Sequence, residues 1–394
     1  MGPPLDRRST LRRFAAPAAL CTALLATGYV RTAAGTAHPS PWGYRNWSFG
    51  ALAYSDILAL HEDRGGDKPH AVPYLADKVE YPVLLGFGMW LPSVVAPGRA
   101  GYFGLTFLML AFCALGALWV LCALPGTQPW AFAASPALVV YSGLNWDLLG
   151  ILPLALGLWL WAAEKDRAAA AVLTLAVWTK FFPLLVLGVV LLVSLRKGLR
   201  HALPLAAIFA ALTLLVNLPF ALLNAENWGW FFKYNQIREI EPSLYLLFGC
   251  DPRAFAPTAN LISALLTLGG AAALAALEWR TRRLDPLPAA CALVCLFFAV
   301  NKVYSPQYWL WVIALLALAG VPGWLAAAVS AVAFADYVVS FSFLHLQSDR
   351  VWAQVSWFAA SVFWPMVSVR YLALLACAFW GFSRSLRRGP QVAV

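Results

Sequence analysis

Long apolar runs alternate with short polar segments along almost the whole chain. Because one helical crossing of a bilayer takes about 20 apolar residues, most of these runs predict membrane-spanning helices. The pattern therefore predicts an all-α polytopic membrane protein with about 11–13 transmembrane helices, forming a single integral membrane domain over residues 1–394. The apolar runs lie at about 14–30, 81–96, 101–124, 130–144, 148–163, 168–195, 202–223, 258–277, 286–300, 308–320, 323–342 and 356–382.

Composition narrows the class of protein further. Hydrophobic residues make up 62% of the chain and charged residues 12%, against about 25% charged residues in ordinary globular domains. This balance excludes a soluble globular protein and, with 14% aromatic residues, a disordered one. The net charge of +10 is explained better by membrane topology than by nucleic-acid binding, since basic residues collect on the cytoplasmic side of membrane proteins.

The positions of the basic residues predict the topology. Clusters at Arg196/Lys197/Arg200, Arg280/Arg282/Arg283 and Arg384/Arg387/Arg388 should face the cytoplasm, as should the arginine-rich amino terminus before an uncleaved first helix. Both termini are then cytoplasmic in a plasma-membrane protein. The long polar loops, at 31–80, 224–257, 301–307 and 343–355, all fall on the outer side, which predicts a working surface there.

Two stretches do not divide cleanly into spans. Residues 130–163 contain two short apolar pieces separated by Asn145-Trp146-Asp147, and keeping Lys165 and Arg167 inside favours one net crossing made of two half-helices. Residues 168–195 are too long for one pass, and Lys180-Phe181-Phe182-Pro183 predicts a turn that leaves Lys180 near the outer face.

Two carboxylates in the first outer loop are candidates for acid–base chemistry. Asp56 lies in an otherwise apolar, helical stretch, and Glu80 stands at the entrance to the next span. A solvated residue on an interfacial helix explains Asp56 about as well, and a charge partner for Lys78 explains Glu80.

The segment Asn301–Tyr308 suggests an anion site. Ser305 suits a helix N-cap and Pro306 the first helical position, so the N–H groups near Gln307 would face the outer surface beside Lys302. Such a helix end attracts anions. A plain helix start with a snorkelling lysine is the alternative.

Other charges lie in apolar or aromatic surroundings. Lys180, Asp147 and Asp336 are in apolar segments, where charges usually face a polar interior or a functional site. In the loop 224–257, Trp228 and neighbouring aromatics lead to Asn235 and Arg238, which could hold a lipid-linked phosphate or a sugar. An interfacial amphipathic helix explains the same residues.

The combination of these motifs resembles the GT-C polytopic glycosyltransferases, and most of all glycosyltransferase family 87, the polyprenol-phosphate-mannose-dependent mannosyltransferases of actinobacteria. The likeness runs from roughly residue 45 to 320. The commoner Tyr-Pro-Pro pattern is here Tyr81-Pro82-Val83, which suggests a divergent branch. The motifs that carry the likeness are Tyr54-Ser55-Asp56, Val79-Glu80-Tyr81-Pro82, Asn145-Trp146-Asp147, Lys180-Phe181-Phe182-Pro183 and Asn301-Lys302-Val303-Tyr304-Ser305-Pro306-Gln307-Tyr308.

The resemblance implies an inverting transfer of a sugar, most often mannose, from a polyprenyl-phosphate donor to a lipid-linked or cell-envelope glycan at the outer face of the plasma membrane. The family's catalytic base maps onto Asp56. We expect the donor phosphate to meet Lys302, Ser305, Gln307, Arg238 and Lys180, and the sugar or acceptor to meet Tyr54, Glu80, Tyr81, Trp228 and Asn235. No cofactor is expected. The sequence does not require a divalent metal, although Asp56 and Glu80 together could hold one. Membrane lipids are expected partners and nucleic acid is not.

Three alternatives stay open on the sequence. A transporter or flippase for lipid-linked glycans would also explain buried charges in a polytopic protein. An inactive scaffold of a cell-envelope complex is a second alternative. A GT-C enzyme that uses another polyprenyl-phosphate sugar, such as arabinose or glucose, is a third.

Overall fold

The structure is a computed structural model that describes residues 3–38, 42–61, 71–349 and 352–386. The described residues form helices joined by short segments, and they contain no β-strand. The predicted all-α fold is therefore confirmed. Arg387 and Arg388 of the third basic cluster lie outside the described residues.

The first half of the chain consists of one long helix, several short helices and a second long helix. Proline ends or interrupts many of them, since it lacks the N–H that continues a helix. The helices are α1 (Arg7–Ala33), α2 (Trp42–Gly50), α3 (Asp56–Ala59), α4 (Val83–Val95), α5 (Arg99–Ala123), α6 (Pro129–Ala133), α7 (Ala137–Tyr141), α8 (Leu148–Ala162), α9 (Asp166–Thr179) and α10 (Pro183–Ser194).

The second half contains longer helices. A π-helical turn, Ala359–Phe363, joins the last two helices into one continuous rod. The helices are α11 (Leu199–Leu223), α12 (Ala225–Ile237), α13 (Leu244–Leu247), α14 (Ala256–Thr281), α15 (Pro286–Val300), α16 (Tyr308–Leu318), α17 (Gly323–Ser348), α18 (Trp352–Phe358) and α19 (Trp364–Ser385).

Six helical segments are long and apolar enough to cross a membrane, so the fold is that of a polytopic membrane protein. They are Arg7–Ala37, α5, α11, α14, α17 and the joined rod Trp352–Ser385. Most other predicted spans are shorter apolar helices, among them α8, α15 and α16. A helix of 11–15 residues reaches less than the roughly 30 Å of a hydrocarbon core, so the predicted total of about 11–13 spans stays a prediction.

The helical bundle has two ends, which we name by what they carry. The loop end carries the segments 42–61, 71–82, 144–147, 180–182, 224–255 and 301–307. The basic end carries the connections near residues 124–128, 163–166, 195–198, 282–285 and 319–322. At the basic end, Arg196 pairs with Glu278, and Lys197 pairs with Asp166 at 3.0 Å.

The predicted span 81–96 does not carry the chain from one end to the other, so that prediction is wrong. The start of α1 meets the end of α5, because the Leu5 N–H donates to the Ala123 carbonyl at 2.8 Å. The start of α5 is at the loop end, where the Arg99 guanidinium lies 4.9 Å from the Tyr44 ring. Since α5 starts at the loop end only a few residues after α4 ends, α4 begins and ends at the loop end.

The prediction of one net crossing over 130–163 is also wrong. The N–H of Gln128, just before α6, donates to the Ala317 carbonyl at 2.8 Å at the basic end, and Asn145 lies at the loop end beside Asp56. The helix α8 then returns to the basic end, where Asp166 meets Lys197. The two errors cancel in the number of passes, because the chain makes one pass fewer than predicted at 81–96 and one more than predicted at 130–163.

Candidate functional site

The segment that carries Asp56 is fastened to the break between α7 and α8. The Asp56 N–H donates to the Leu144 carbonyl at 2.7 Å, and the Ser55 hydroxyl donates to the Gly143 carbonyl at 2.5 Å. Asp56 is the first residue of the four-residue α3. Its side chain is half-buried. The hydrogen bonds of the Asp56 N–H and of the Ser55 hydroxyl hold the carboxylate at the loop end.

Asn145 connects this carboxylate to a cation. Its Nδ2 donates to Asp56 Oδ2 at 2.8 Å and to the Tyr81 hydroxyl at 3.2 Å. Its Oδ1 accepts from the Trp146 N–H at 2.6 Å and from Lys180 Nζ at 3.4 Å. Every polar atom of this amide group therefore has a partner, which fixes its orientation.

Lys180 lies opposite a second, fully buried carboxylate. Its Nζ is 3.2 Å from Asp147 Oδ1 and 4.9 Å from the centre of the Tyr81 ring. The predicted turn is confirmed, because α9 ends at Thr179 and α10 begins at Pro183. Lys180 itself has extended backbone angles, which release its side chain from the helix toward the break at Asn145.

The α16 helix closes this cluster from another side. The indole of Trp311 donates to Asp147 Oδ1 at 2.7 Å. The approach needs a glycine at position 150, because a Cβ there would lie 2.7 Å from Trp311 Cη2. Asp147 Oδ2 is buried and has no hydrogen-bond partner among the described residues, so contacts with Lys180 and Trp311 stabilise the negative charge of Asp147.

Tyr54 and Tyr81 flank the Asp56 carboxylate. The Tyr54 hydroxyl donates to it, while the Tyr54 ring packs against Phe49 and Phe341 at centroid distances of 5.0 and 5.4 Å. Burial and the neighbouring Asp56 raise the pKa of Tyr54 well above its usual value. Burial and Asp56 raise the pKa of Tyr81 in the same way, so both phenols stay protonated and can donate hydrogen bonds.

The surroundings of Asp56 shift the pKa of its carboxyl group in opposite directions. Burial raises the pKa of the Asp56 carboxyl above its ordinary value, and nearby Asp147 adds to the increase. Hydrogen bonds from Asn145 and Tyr54, together with the Lys180 charge, act in the opposite direction. The net shift is upward, and a carboxylate with a raised pKa is a stronger base than one in water.

Arg238 and Lys302 form a second charged group at the loop end. Lys302 is buried and its Nζ donates to the Gln236 carbonyl at 3.1 Å. Burial, followed by the nearby Arg238 charge, lowers the pKa of Lys302. Arg238 is half-buried and its Nε donates to Glu241 Oε1 at 2.6 Å.

The start of α16 lies between the two charged groups. Tyr308 is within electrostatic range of both Asp147 and Arg238. The Phe182 ring packs against Tyr308 at 5.3 Å and against Trp311 at 4.9 Å. The structure therefore brings Asp56, Lys180, Arg238 and Lys302 to one end of the bundle, around the loop-end half of α16.

The predicted cap at Ser305 is wrong. The helix α16 begins at Tyr308, two residues later than expected, and no side chain in the described part of the chain caps it. Ser305 and Pro306 instead form a turn, in which their carbonyls accept the N–H groups of Tyr308 and Trp309 at 2.9 and 3.2 Å. Gln307 is buried at the N-cap position, so it lies at the helix start as predicted.

Two predicted contact residues lie elsewhere on the loop end. The Trp228 indole donates to Asn217 Oδ1 at 3.1 Å and its ring packs on the cluster around Tyr74 and Val79. Asn235 is exposed and bonds to the Phe231 carbonyl of its own helix. Among the described residues, neither side chain contacts Asp56, Asn145 or Lys180. Glu80, by contrast, is adjacent to Tyr81, whose pKa is raised well above its usual value by burial first and then by the charges of Asp56 and Glu80.

Asp336, for which the sequence suggests no role, belongs to a buried ion pair. It pairs with Arg370, whose Nε lies 2.9 Å from Asp336 Oδ2, and it accepts from the Trp309 indole at 2.9 Å. Arg370 Nη1 also donates to the Pro242 carbonyl at 3.1 Å. This pair fastens the segment that carries Arg238 and Glu241 to α17 and α19.

Sequence reasoning missed the central member of the site. Asn145 was visible as a polar interruption of an apolar stretch, but no pattern assigned it to Asp56, from which 89 positions separate it. Among the described residues, no group of three or more His, Cys, Asp or Glu side chains is placed to hold a metal ion.

No protein-family model and no curated protein matches this sequence.

Proposed function

We propose that this protein is an inverting glycosyltransferase of the GT-C type, which transfers a sugar, most often mannose, from a polyprenyl-phosphate donor to a lipid-linked or cell-envelope glycan. The observation that carries the proposal is the Asp56–Asn145–Lys180 group. It holds a half-buried carboxylate on one side of an amide and a cation on the other, at the loop end of a membrane protein. The proposal places the loop end at the outer face of the plasma membrane and both termini in the cytoplasm.

Asp56 acts in this proposal as the general base. An acceptor hydroxyl is a weak nucleophile, and a positioned carboxylate that takes its proton as the glycosidic bond forms accelerates the reaction by about 10²- to 10⁴-fold. The carboxylate has one oxygen held by Asn145, which aims the group. Its raised pKa increases its strength as a base.

The cations of the loop end act on the leaving group. The bond between the sugar carbon and the phosphate oxygen breaks, and the phosphate gains negative charge as it leaves. Fixed positive charges in a water-poor site stabilise such a charge strongly. Lys180, Arg238 and Lys302 lie around the start of α16, and a lipid-linked donor needs only its phosphate to reach them.

The alternative of a transporter is less well supported. Its main argument was the presence of unexplained charges in apolar segments, at Lys180, Asp147 and Asp336. Each of these charges has an opposite charge beside it, in the pairs Lys180–Asp147 and Asp336–Arg370. Local neutralisation explains them without a polar path across the membrane.

Transfer from labelled polyprenyl-phosphate-mannose tests the proposal, in membranes that contain native lipid-linked glycans. We expect Asp56→Asn to reduce transfer at least 100-fold. The matched control is Glu226→Gln, which removes a loop-end carboxylate that is highly exposed and contacts Lys78. This control should retain wild-type transfer.

Each outcome decides a different part of the proposal. Transfer that persists in Asp56→Asn removes Asp56 from the mechanism. Transfer from the arabinosyl or glucosyl donor alone replaces mannose and keeps the reaction class. Absence of transfer from all three polyprenyl-phosphate sugars, with correctly inserted protein, contradicts the function itself.

A further inference from the structure

The basic end of the bundle contains a pocket that the proposed reaction does not use. It lies between the end of α14 and the end of α19, and its volume is about 410 Å³. Pockets for small organic ligands have volumes of about 300–1,000 Å³. Its lining residues are Arg280, Thr281, Arg283, Ser385 and Leu386.

The pocket is strongly cationic. Arg280 and Arg283 are exposed, and within the described part of the chain neither side chain has a carboxylate partner. The two acidic residues that are nearest in sequence are already engaged: Glu278 binds Arg196, and Asp285 caps α15 by accepting the Leu287 N–H at 3.3 Å. Membrane topology explains why arginines lie at one end of the bundle, but it does not explain a cavity that two of them line.

The surroundings of the pocket indicate a lipid rather than a soluble ligand. In its most apolar window, α14 is only 11% buried, so that helix presents an apolar surface to the bilayer. Trp279, in its last turn, is 77% exposed, and Phe379 of α19 is 73% exposed. Indole rings prefer the depth of the lipid headgroups, which places the pocket at headgroup level.

We propose that this pocket binds the phosphate of an anionic phospholipid. The planar guanidinium groups of Arg280 and Arg283 each match two phosphate oxygens, and the acyl chains lie along the apolar faces of α14 and α19. Basic pockets between transmembrane helices are known to recognise anionic headgroups in this manner. The site is separate from the Asp56 group, since it lies at the opposite end of the bundle.

The test compares two double variants in nanodiscs of phosphatidylcholine with a minor fraction of phosphatidylglycerol. The pocket variant is Arg280→Gln/Arg283→Gln. The control, Arg167→Gln/Arg200→Gln, removes the same charge from exposed arginines of the basic end outside the pocket. Native mass spectrometry counts the phosphatidylglycerol molecules that stay bound after release into detergent.

We expect the wild-type protein and the control to retain phosphatidylglycerol in preference to phosphatidylcholine. In the pocket variant the preference should fall about tenfold. Arg280→Lys/Arg283→Lys should be intermediate, because lysine keeps the charge and loses the bidentate geometry. If the double variant fails to fold, the single variants should each lose about threefold.

Three results would overturn the proposal. The first is equal retention of the two lipids by the wild-type protein. The second is an equal loss in the control, which would assign the effect to general surface charge. The third is stabilisation of the detergent-solubilised protein by inorganic phosphate without any effect of the pocket variant on lipid retention, which would assign the pocket to a soluble anion.

Discussion

Asn145 donates a hydrogen bond of 2.8 Å to the Asp56 carboxylate across 89 positions of sequence. The same amide accepts a hydrogen bond from Lys180, so the position of the proposed base depends on the position of the turn between α9 and α10. Asn145 is a positioning residue in this arrangement, since it acts on the reaction through Asp56. Its effect should be visible in the pH dependence of transfer as well as in the rate.

Replacing Asn145 by alanine should move the acidic limb of the pH–rate profile upward. The hydrogen bond from Asn145 lowers the pKa of Asp56, so its loss raises that pKa further. The base must be ionised to act, so the variant loses activity at a higher pH than the wild-type enzyme. We expect kcat to fall about 10- to 100-fold near neutral pH, measured as transfer rate against pH.

The control for this variant is Asn235→Ala, which removes an exposed amide bonded to its own helix. A reduced rate in Asn145→Ala with an unshifted profile would contradict the positioning role, because a general loss of structure lowers the rate at every pH alike.

Lys180→Met should destabilise the protein by about 3–5 kcal/mol, because it leaves the buried Asp147 without its counter-charge. The double variant Lys180→Met/Asp147→Asn should regain much of this stability, while transfer stays low because the cation is absent. Unfolding in detergent measures the free energies. Lys78→Met provides the comparison: the Lys78–Glu226 pair is exposed, and such pairs contribute about 0–1 kcal/mol. If the effects of Lys180→Met and Asp147→Asn on stability simply add in the double variant, the two side chains do not interact, which would contradict the ion pair.

Donor binding should weaken at alkaline pH through Lys302. Burial lowers the pKa of this ammonium group, so it loses its charge at a lower pH than an ordinary lysine does. We expect KM for the donor to rise at a lower pH than the roughly 10.4 at which an ordinary lysine loses its charge. Lys302→Arg should remove this rise, because a guanidinium stays charged throughout. A KM that rises equally in both proteins would exclude Lys302 as the titrating group.

Gly150→Ala should disturb the site through Trp311. The new Cβ would lie 2.7 Å from Trp311 Cη2, so the indole that bonds Asp147 must move. Overpacking of this kind costs about 1–3 kcal/mol, and we expect both stability and transfer to decrease. Gly188→Ala is the matched control, since no atom of the described residues lies within 4 Å of a Cβ at that position. The control should be neutral or slightly stabilising.

The apolar runs predicted where helices and breaks lie better than they predicted which helices run from one end of the bundle to the other. The break at Asn145-Trp146-Asp147 and the turn at Lys180–Pro183 are both present. The run 81–96 was misassigned because hydropathy measures only how apolar a segment is. It cannot distinguish a helix that crosses a bilayer from α4, which is partly buried between other elements at one end of the bundle.

The sequence by itself determined that this is a helical membrane protein. It also determined that the basic clusters and the long polar loops lie in different connections between the helices. Those properties follow from the apolar content and charge of neighbouring residues, which are local and therefore readable. Only the tertiary structure decided that Asn145 stands between Asp56 and Lys180, and that Arg280 and Arg283 line a pocket with α19. The reason is physical: these groups lie on different helices, and their meeting depends on how the helices pack and on single close approaches such as that of Gly150 and Trp311.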